Sequence, residues 1–297
     1  MFKRILAIAI VLSLSGLAFA ANTATITTTG IGNTANVTQS GDLNIATIEQ
    51  IADISTASQE QTGYRNEAGI RQGTASNPTI SETATQIQIG EDNHAIIEQP
   101  KEDIATSCIG YQFQEGSNNS VTAKWWYSSN STTIQVQKGT YNVAVASQVG
   151  NDGYIYQEQE GMYNFALITQ GGSLLTGVNT AKQHQIGEYN TTAILQFLTL
   201  EKLVEFNQAY VAQDGSYNWA GEEGDVYGIR QEGNYNCASV NQNQDWNRSE
   251  VLQHGDSNTV DVTQNGAAGT AGDYVNLLTL TQTGNNNVST VTQTYIP

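Results

Sequence analysis

A single motif, Gln-x-Gly-x-x-Asn-x-Ala-x-x-x-Gln, returns twelve times in the 297 residues and leaves few folds open. Copies start at Thr28, the one start without Gln, and then at Gln39, Gln61, Gln88, Gln114, Gln137, Gln159, Gln185, Gln213, Gln231, Gln253 and Gln282. The turn glycine two places on is invariant. So is the asparagine five places on: Asn33, Asn44, Asn66, Asn93, Asn119, Asn142, Asn164, Asn190, Asn218, Asn236, Asn258 and Asn287. The closing residue is Gln39, Gln50, Gln72, Gln99, Gln148, Gln170, Gln196, Gln242, Gln264 or Gln293, with Trp125 and Gly224 as the two exceptions. Most copies are 18 to 29 residues apart, the length of one coil of a stacked repeat, and one step of 11 separates the first two.

Within each copy the period is two. Small or apolar residues stand two and four places after the asparagine, as in Ala46 and Ile48, and the closing Gln stands two places further. That alternation marks a strand with one buried face. Each copy therefore reads as strand, tight turn, strand. The whole is expected to be all-β: a β-solenoid of stacked strand-turn-strand repeats over residues 21–297, cross-β in character. Variable segments such as Pro100–Gly110, Gly171–Lys182, Phe197–Asn207 and Asn265–Asn276 read as loops on one edge, with a short helix expected over Leu198–Phe206.

Composition bears on what fills the interior. Asn and Gln number 28 each and Pro only 3. A buried amide is costly unless paired. Stacked coils pair identical amides about 4.8 Å apart, so the motif Asn and Gln are expected to form structural ladders. Six consecutive copies carry another Gln two places before the opening one: Gln59, Gln86, Gln112, Gln135, Gln157 and Gln183. They read as a second amide ladder, flanked by copies with Val or Ile there. Tyr141, Tyr163, Tyr189, Tyr217 and Tyr235 share one turn position. They are expected to stack as an exposed stripe, which either binds a surface ligand or stabilises the turn. Copy 9 departs, with Glu222 at an inward site and Gly224 at the closing site, and reads as a break in the stack or a brake on assembly.

Residues 1–20 have Lys3 and Arg4, an apolar run from Ile5 to Leu14, and the exit Ala18-Phe19-Ala20. This is the pattern of a secretory signal peptide cut after Ala20. The apolar run is too short to span a membrane. What remains has nine basic and 28 acidic residues, a net charge of −19, which disfavours nucleic acid and anionic membranes. No catalytic, metal or cofactor constellation is found. His94, His184 and His254 fall at three different motif phases. Gly30-x-Gly32-x-x-Ala35 and Gly255-Asp256-Ser257-Asn258 are repeat turns, and Glu222-Glu223 points to opposite faces. Cys108 and Cys237, five coils or roughly 24 Å apart at the strand spacing, are too distant for a disulfide.

The motif resembles the curlin repeat, over about residues 22–297. The resemblance implies a secreted subunit of curli, the extracellular amyloid fibre of biofilm matrix, serving adhesion. It implies self-assembly as a homopolymer, and as partners a minor curlin nucleator and curli secretion factors. An enzyme is not expected. The competing readings are a monomeric β-solenoid adhesin or minor-curlin-like fibre nucleator, and a β-helical hydrolase acting on polysaccharide, for which the acids are too scattered.

Overall fold

The computed structural model describes residues 14–15, 21–73, 79–99, 107–126, 128–171, 178–197, 206–220, 228–266 and 276–295. The signal peptide, apart from Leu14–Ser15, lies outside them. So do residues 100–106, 172–177, 198–205 and 267–275 of the expected loops and helix. The chain forms two compact units, Met1–Tyr141 and Asn142–Pro297. Each is a β-solenoid of parallel strands.

In the first unit one sheet stacks Thr34–Asp42, Thr56–Tyr64, Thr83–Glu91, Ile109–Ser117 and Thr132–Thr140. The facing sheet stacks Thr23–Thr29, Ile45–Asp53, Glu67–Gln72, His94–Gln99 and Ser120–Trp126. The pairing sets like on like: Ala35 on Ala57, Gln39 on Gln61 and Gly41 on Gly63. Inward residues alternate with outward ones at period two, so Ala46, Ile48 and Gln50 are sealed while Ile45 and Thr47 are exposed. Ala35, Val37, Ala46, Ile48, Ile70 and Ile97 form the apolar part of the core, with Trp125 at one end of its row.

In the second unit one sheet runs Tyr154–Met162, Thr180–Glu188, Gln208–Asp214, Cys237–Asn243, Thr259–Asn265 and Val288–Thr294. The other runs Val143–Val149, Phe165–Gln170, Thr191–Phe197, then Trp219–Ala220 with Ile229–Glu232, then Asn247–His254 and Asn276–Thr283. The split level overturns the reading of copy 9 as a break. Trp219 and Ala220 pair with Thr191 and Thr192, and Ile229 and Gln231 pair with Ile194 and Gln196 of the same strand. Ile229 and Gln231 thus take the places assigned to Glu222 and Gly224, which lie outside the described residues. The seven residues 221–227 are an insertion within one rung, and they lengthen the ordinary step from opening to closing Gln from 11 to 18. Gln231 closes copy 9 and opens copy 10, as Gln39 closes copy 1 and opens copy 2. Each shared strand moves the motif by half a coil.

The turns explain the glycine and asparagine. Gly63 has φ +123, and a Cβ there would stand 1.9 Å from the Gly90 carbonyl oxygen of the next coil. Both the backbone angle and the close approach demand glycine. The residue before the asparagine is also left-handed, but with a side chain: Leu43, Arg65, Asp92, Asn118, Tyr163 and Tyr189 have φ between 53 and 58.

Candidate functional site

The amides are the most regular chemistry in the molecule. In the first unit Gln39 Nε2 donates to Gln61 Oε1 at 2.8 Å, Gln61 to Gln88 at 2.8 Å, Gln88 to Gln114 at 2.9 Å and Gln114 to Gln137 at 3.0 Å. In the facing sheet Gln50 donates to Gln72 and Gln72 to Gln99, both at 2.8 Å. The second unit repeats this. One row runs Gln159, Gln185, Gln213, Gln242, Gln264, Gln293, and the other Gln148, Gln170, Gln196, Gln231, Gln253, Gln282. The second N–H of each amide crosses the core, as from Gln61 to the Ile45 carbonyl at 2.9 Å. The two sheets are therefore no further apart than one glutamine can reach, and the core has little room for Leu or Phe. Motif Gln thus stand in two rows per unit.

Gln59, Gln86, Gln112 and Gln135 face inward and are buried. Gln59 bonds Gln86 at 2.8 Å, Gln86 bonds Gln112 at 2.9 Å and Gln112 bonds Gln135 at 2.8 Å. In the second unit Gln157 bonds Gln183 at 3.0 Å. Val37 stacks on Gln59, and Gln183 on Val211. The row ends there with an acceptor, Gln59 Oε1, that nothing satisfies.

The asparagines correct the single-ladder expectation. Asn44, Asn66, Asn93 and Asn119 stack at one turn of the first unit, with Nδ2 donating to the preceding Oδ1 at 3.0–3.1 Å. Asn22 begins this row although it belongs to no motif copy. In the second unit Asn142, Asn164, Asn190 and Asn218 lead to Asn247 and Asn276, neither in a motif. Asn236, Asn258 and Asn287 stand at the opposite turn, on Asn207 and Asn179. Asn33 likewise stands at the opposite turn of the first unit, where its Oδ1 accepts the Ser55 N–H. The half-coil steps cause this division. Asn179, Asn207 and Trp246 lie in connecting turns, and only the strand register reveals them.

The tyrosine stripe divides for the same reason. Tyr163 stacks on Tyr189 at 4.9 Å and Tyr189 on Tyr217 at 5.0 Å, and the row continues to Trp246 at 4.4 Å with planes 1° apart. Tyr235 is at the other turn, stacked on Phe206 at 5.2 Å. Tyr141 closes the first unit in the same left-handed turn conformation and is exposed. The ring faces are spent on one another, so solvent meets ring edges and phenol hydroxyls.

One row of the first unit breaks the amide pattern. Its turn residues run Asn33, Ser55, Glu82, Cys108, Ser131, all buried. The Glu82 N–H donates to Ser55 Oγ and Glu82 Oε2 accepts the Cys108 N–H at 3.1 Å, while Oε1 has no partner. Burial pushes the Glu82 pKa up to about 8. Burial and the neighbouring carboxylate push the Cys108 thiol up as well. A raised thiol is the opposite of a nucleophile. Both cysteines are free. Trp125 fits the row of smaller amides only because Gly110 faces it: a Cβ on Gly110 would stand 2.9 Å from the indole.

His94, His184 and His254 each meet one carboxylate, Glu67 at 4.0 Å, Glu158 at 3.7 Å and Glu232 at 2.9 Å. Among the described residues no three His, Cys, Asp or Glu are placed to hold a metal, and no helix is long and apolar enough to cross a membrane.

The outermost rungs remain. In Thr23–Thr29 and Val288–Thr294 the inward residues are only half-buried, as are Leu278 and Leu280, whereas equivalent residues inside each unit are sealed. Such edges carry unpaired strand groups. Fold and site define a repeat solenoid with an amide-laddered core and open outer rungs. A family model, the curlin associated repeat, matches residues 233–266. The matched residues lie within the second unit and include the motif copy that opens at Gln253. No curated protein matches the chain.

Proposed function

We propose that the mature chain is a structural subunit of an extracellular curli-like amyloid fibre, exported by its signal peptide and serving adhesion and biofilm matrix. The observation that carries this reading is the open outer rung. Inner rungs are joined by strand pairing and amide bonds to the rungs on either side, while Ala24, Ile26, Leu278 and Leu280 of the outer ones are only half-buried. Edges of this kind add strands. Self-association is the main partnership, with a nucleating minor curlin and secretion factors as helpers.

The test uses purified residues 21–297. Incubated at micromolar concentration, the protein should form fibres visible by electron microscopy that bind an amyloid dye and diffract at about 4.8 Å. A chain that stays folded and monomeric under the same conditions would refute the fibre reading and favour a monomeric adhesin.

A further inference from the structure

The outer rungs carry unfinished bonds that match in one register only. At the C-terminal rung, Gln293 Nε2 donates one N–H to the Leu277 carbonyl and has no described acceptor for the other. Asn287 Oδ1 has no described donor, whereas the Asn258 Oδ1 beneath it accepts the Asn287 N–H at 3.1 Å. At the N-terminal rung, Gln39 Oε1 has no described donor, and every Gln after it in its row accepts one. Resting on the polymerisation reading above, we propose that copies of this chain join head to tail with one fixed register: Thr28 over Gln282, Asn33 over Asn287 and Gln39 over Gln293.

Two features select that register and a third is compatible with it. The first is polarity. Every Gln row donates from its N-terminal member to its C-terminal neighbour, so a last rung offers N–H and a first rung offers Oε1. Two last rungs face to face would oppose donor to donor. The second is the asparagine at the turn. The Asn44 N–H and Nδ2 already donate to Asn22 Oδ1, at 2.9 and 3.2 Å. A half-coil slip would set Asn44 on Asn287 and leave Asn287 Oδ1 without a donor, which is unfavourable. The proposed register sets Asn33 there instead, and the Asn33 backbone N–H has no described acceptor. The third is the turn. A Cβ on Gly255 would stand 2.1 Å from the Gly284 oxygen, yet a Cβ on Gly284 meets no neighbour closer than 3.8 Å. The proposed register seats Gly30 over Gly284, a glycine where the close approach requires one.

The register sets Thr34 beside Val288, both side chains outward and Val288 75 % exposed. The test is cross-linking of fibres grown from mature chain carrying Thr34→Cys and Val288→Cys, with Cys108→Ser and Cys237→Ser. Serine already stands in the Cys108 row at Ser55 and Ser131. Mild oxidation should convert the monomer band to a ladder of multimers on a non-reducing gel, with the 34–288 peptide pair found by mass spectrometry. A parallel chain with Thr23→Cys and Val288→Cys reports the half-coil slip and should stay monomeric on the gel. Fibres that cross-link through 23–288, or through 288–288 dimers, would overturn the register and leave polymerisation standing. Absence of fibres would overturn both.

Discussion

Glu82 gives the sharpest energetic prediction. Its carboxyl group is fully buried, with one oxygen bonded to the Cys108 N–H and the other unpartnered. Burial raises its pKa from 4.5 to about 8. An acid whose folded pKa is raised favours folding most when both states are protonated, below about pH 4.5. That contribution is lost as the pH climbs through 8. At roughly 1.4 kcal/mol per pH unit the loss reaches at most about 5 kcal/mol, a large part of the stability of a domain. Glu82→Gln keeps the acceptor for Cys108 and removes the titration. Urea unfolding of mature chain at low concentration, repeated from pH 4 to 9, should show the two proteins converging in acid. The variant should be the more stable by several kcal/mol at pH 9. Hydrogen exchange should place the difference in residues 83–117. The other carboxylates are common to both proteins, so identical pH profiles would refute the reasoning.

Three further outcomes are expected. Gln112→Leu strands the Gln86 amide and two acceptors, Gln135 Oε1 and the Ile96 carbonyl, and should cost about 2–4 kcal/mol by urea unfolding. Replacing Gln59, Gln86, Gln112 and Gln135 together by Val, the residue that precedes them in the row, should cost less than that single change. Gly110→Ala should destabilise by about 2–3 kcal/mol through contact with Trp125, and adding Trp125→Gln should recover part of the loss in thermal melts. Tyr217→Ser removes two stacking contacts and should cost about 1–2 kcal/mol while leaving the circular dichroism spectrum unchanged.

Most of the strand pattern was legible in the sequence, because a motif that repeats its Gly, Asn and Gln at fixed offsets dictates which residues face inward. What the motif could not show was which strand each copy opens on. Gln39 and Gln231 each serve two copies, and a pattern search counts them once per copy without revealing the shift of half a coil. That is why Asn33, Asn236, Asn258 and Asn287 fall on the turn opposite their fellows, and why Trp246 follows Tyr217 in the stack. Residues 221–227 disguised the second shift by lengthening a rung, so that Gly224 looked like a lost glutamine. The row from Ser55 to Cys108 was invisible for another reason. Its members share no residue type, only a height in the stack. The Gly110–Trp125 fit likewise joins residues whose nearness depends on register.

The left-handed turns bear on how fast such a molecule can form. Leu43, Ile54, Arg65, Asp92 and Tyr163 each hold a backbone angle that side-chain-bearing residues resist, at roughly 1 kcal/mol or more apiece. The bonds that offset this run between coils, as from Asn66, Asn93 and Asn164 to the glycine carbonyl beyond. A first coil has the strain and none of those bonds, whereas every later coil gains them on arrival. Formation of the initial rung is therefore uphill and each addition downhill, so material left without a template should wait through a long lag, and a trace of preformed stack should abolish it.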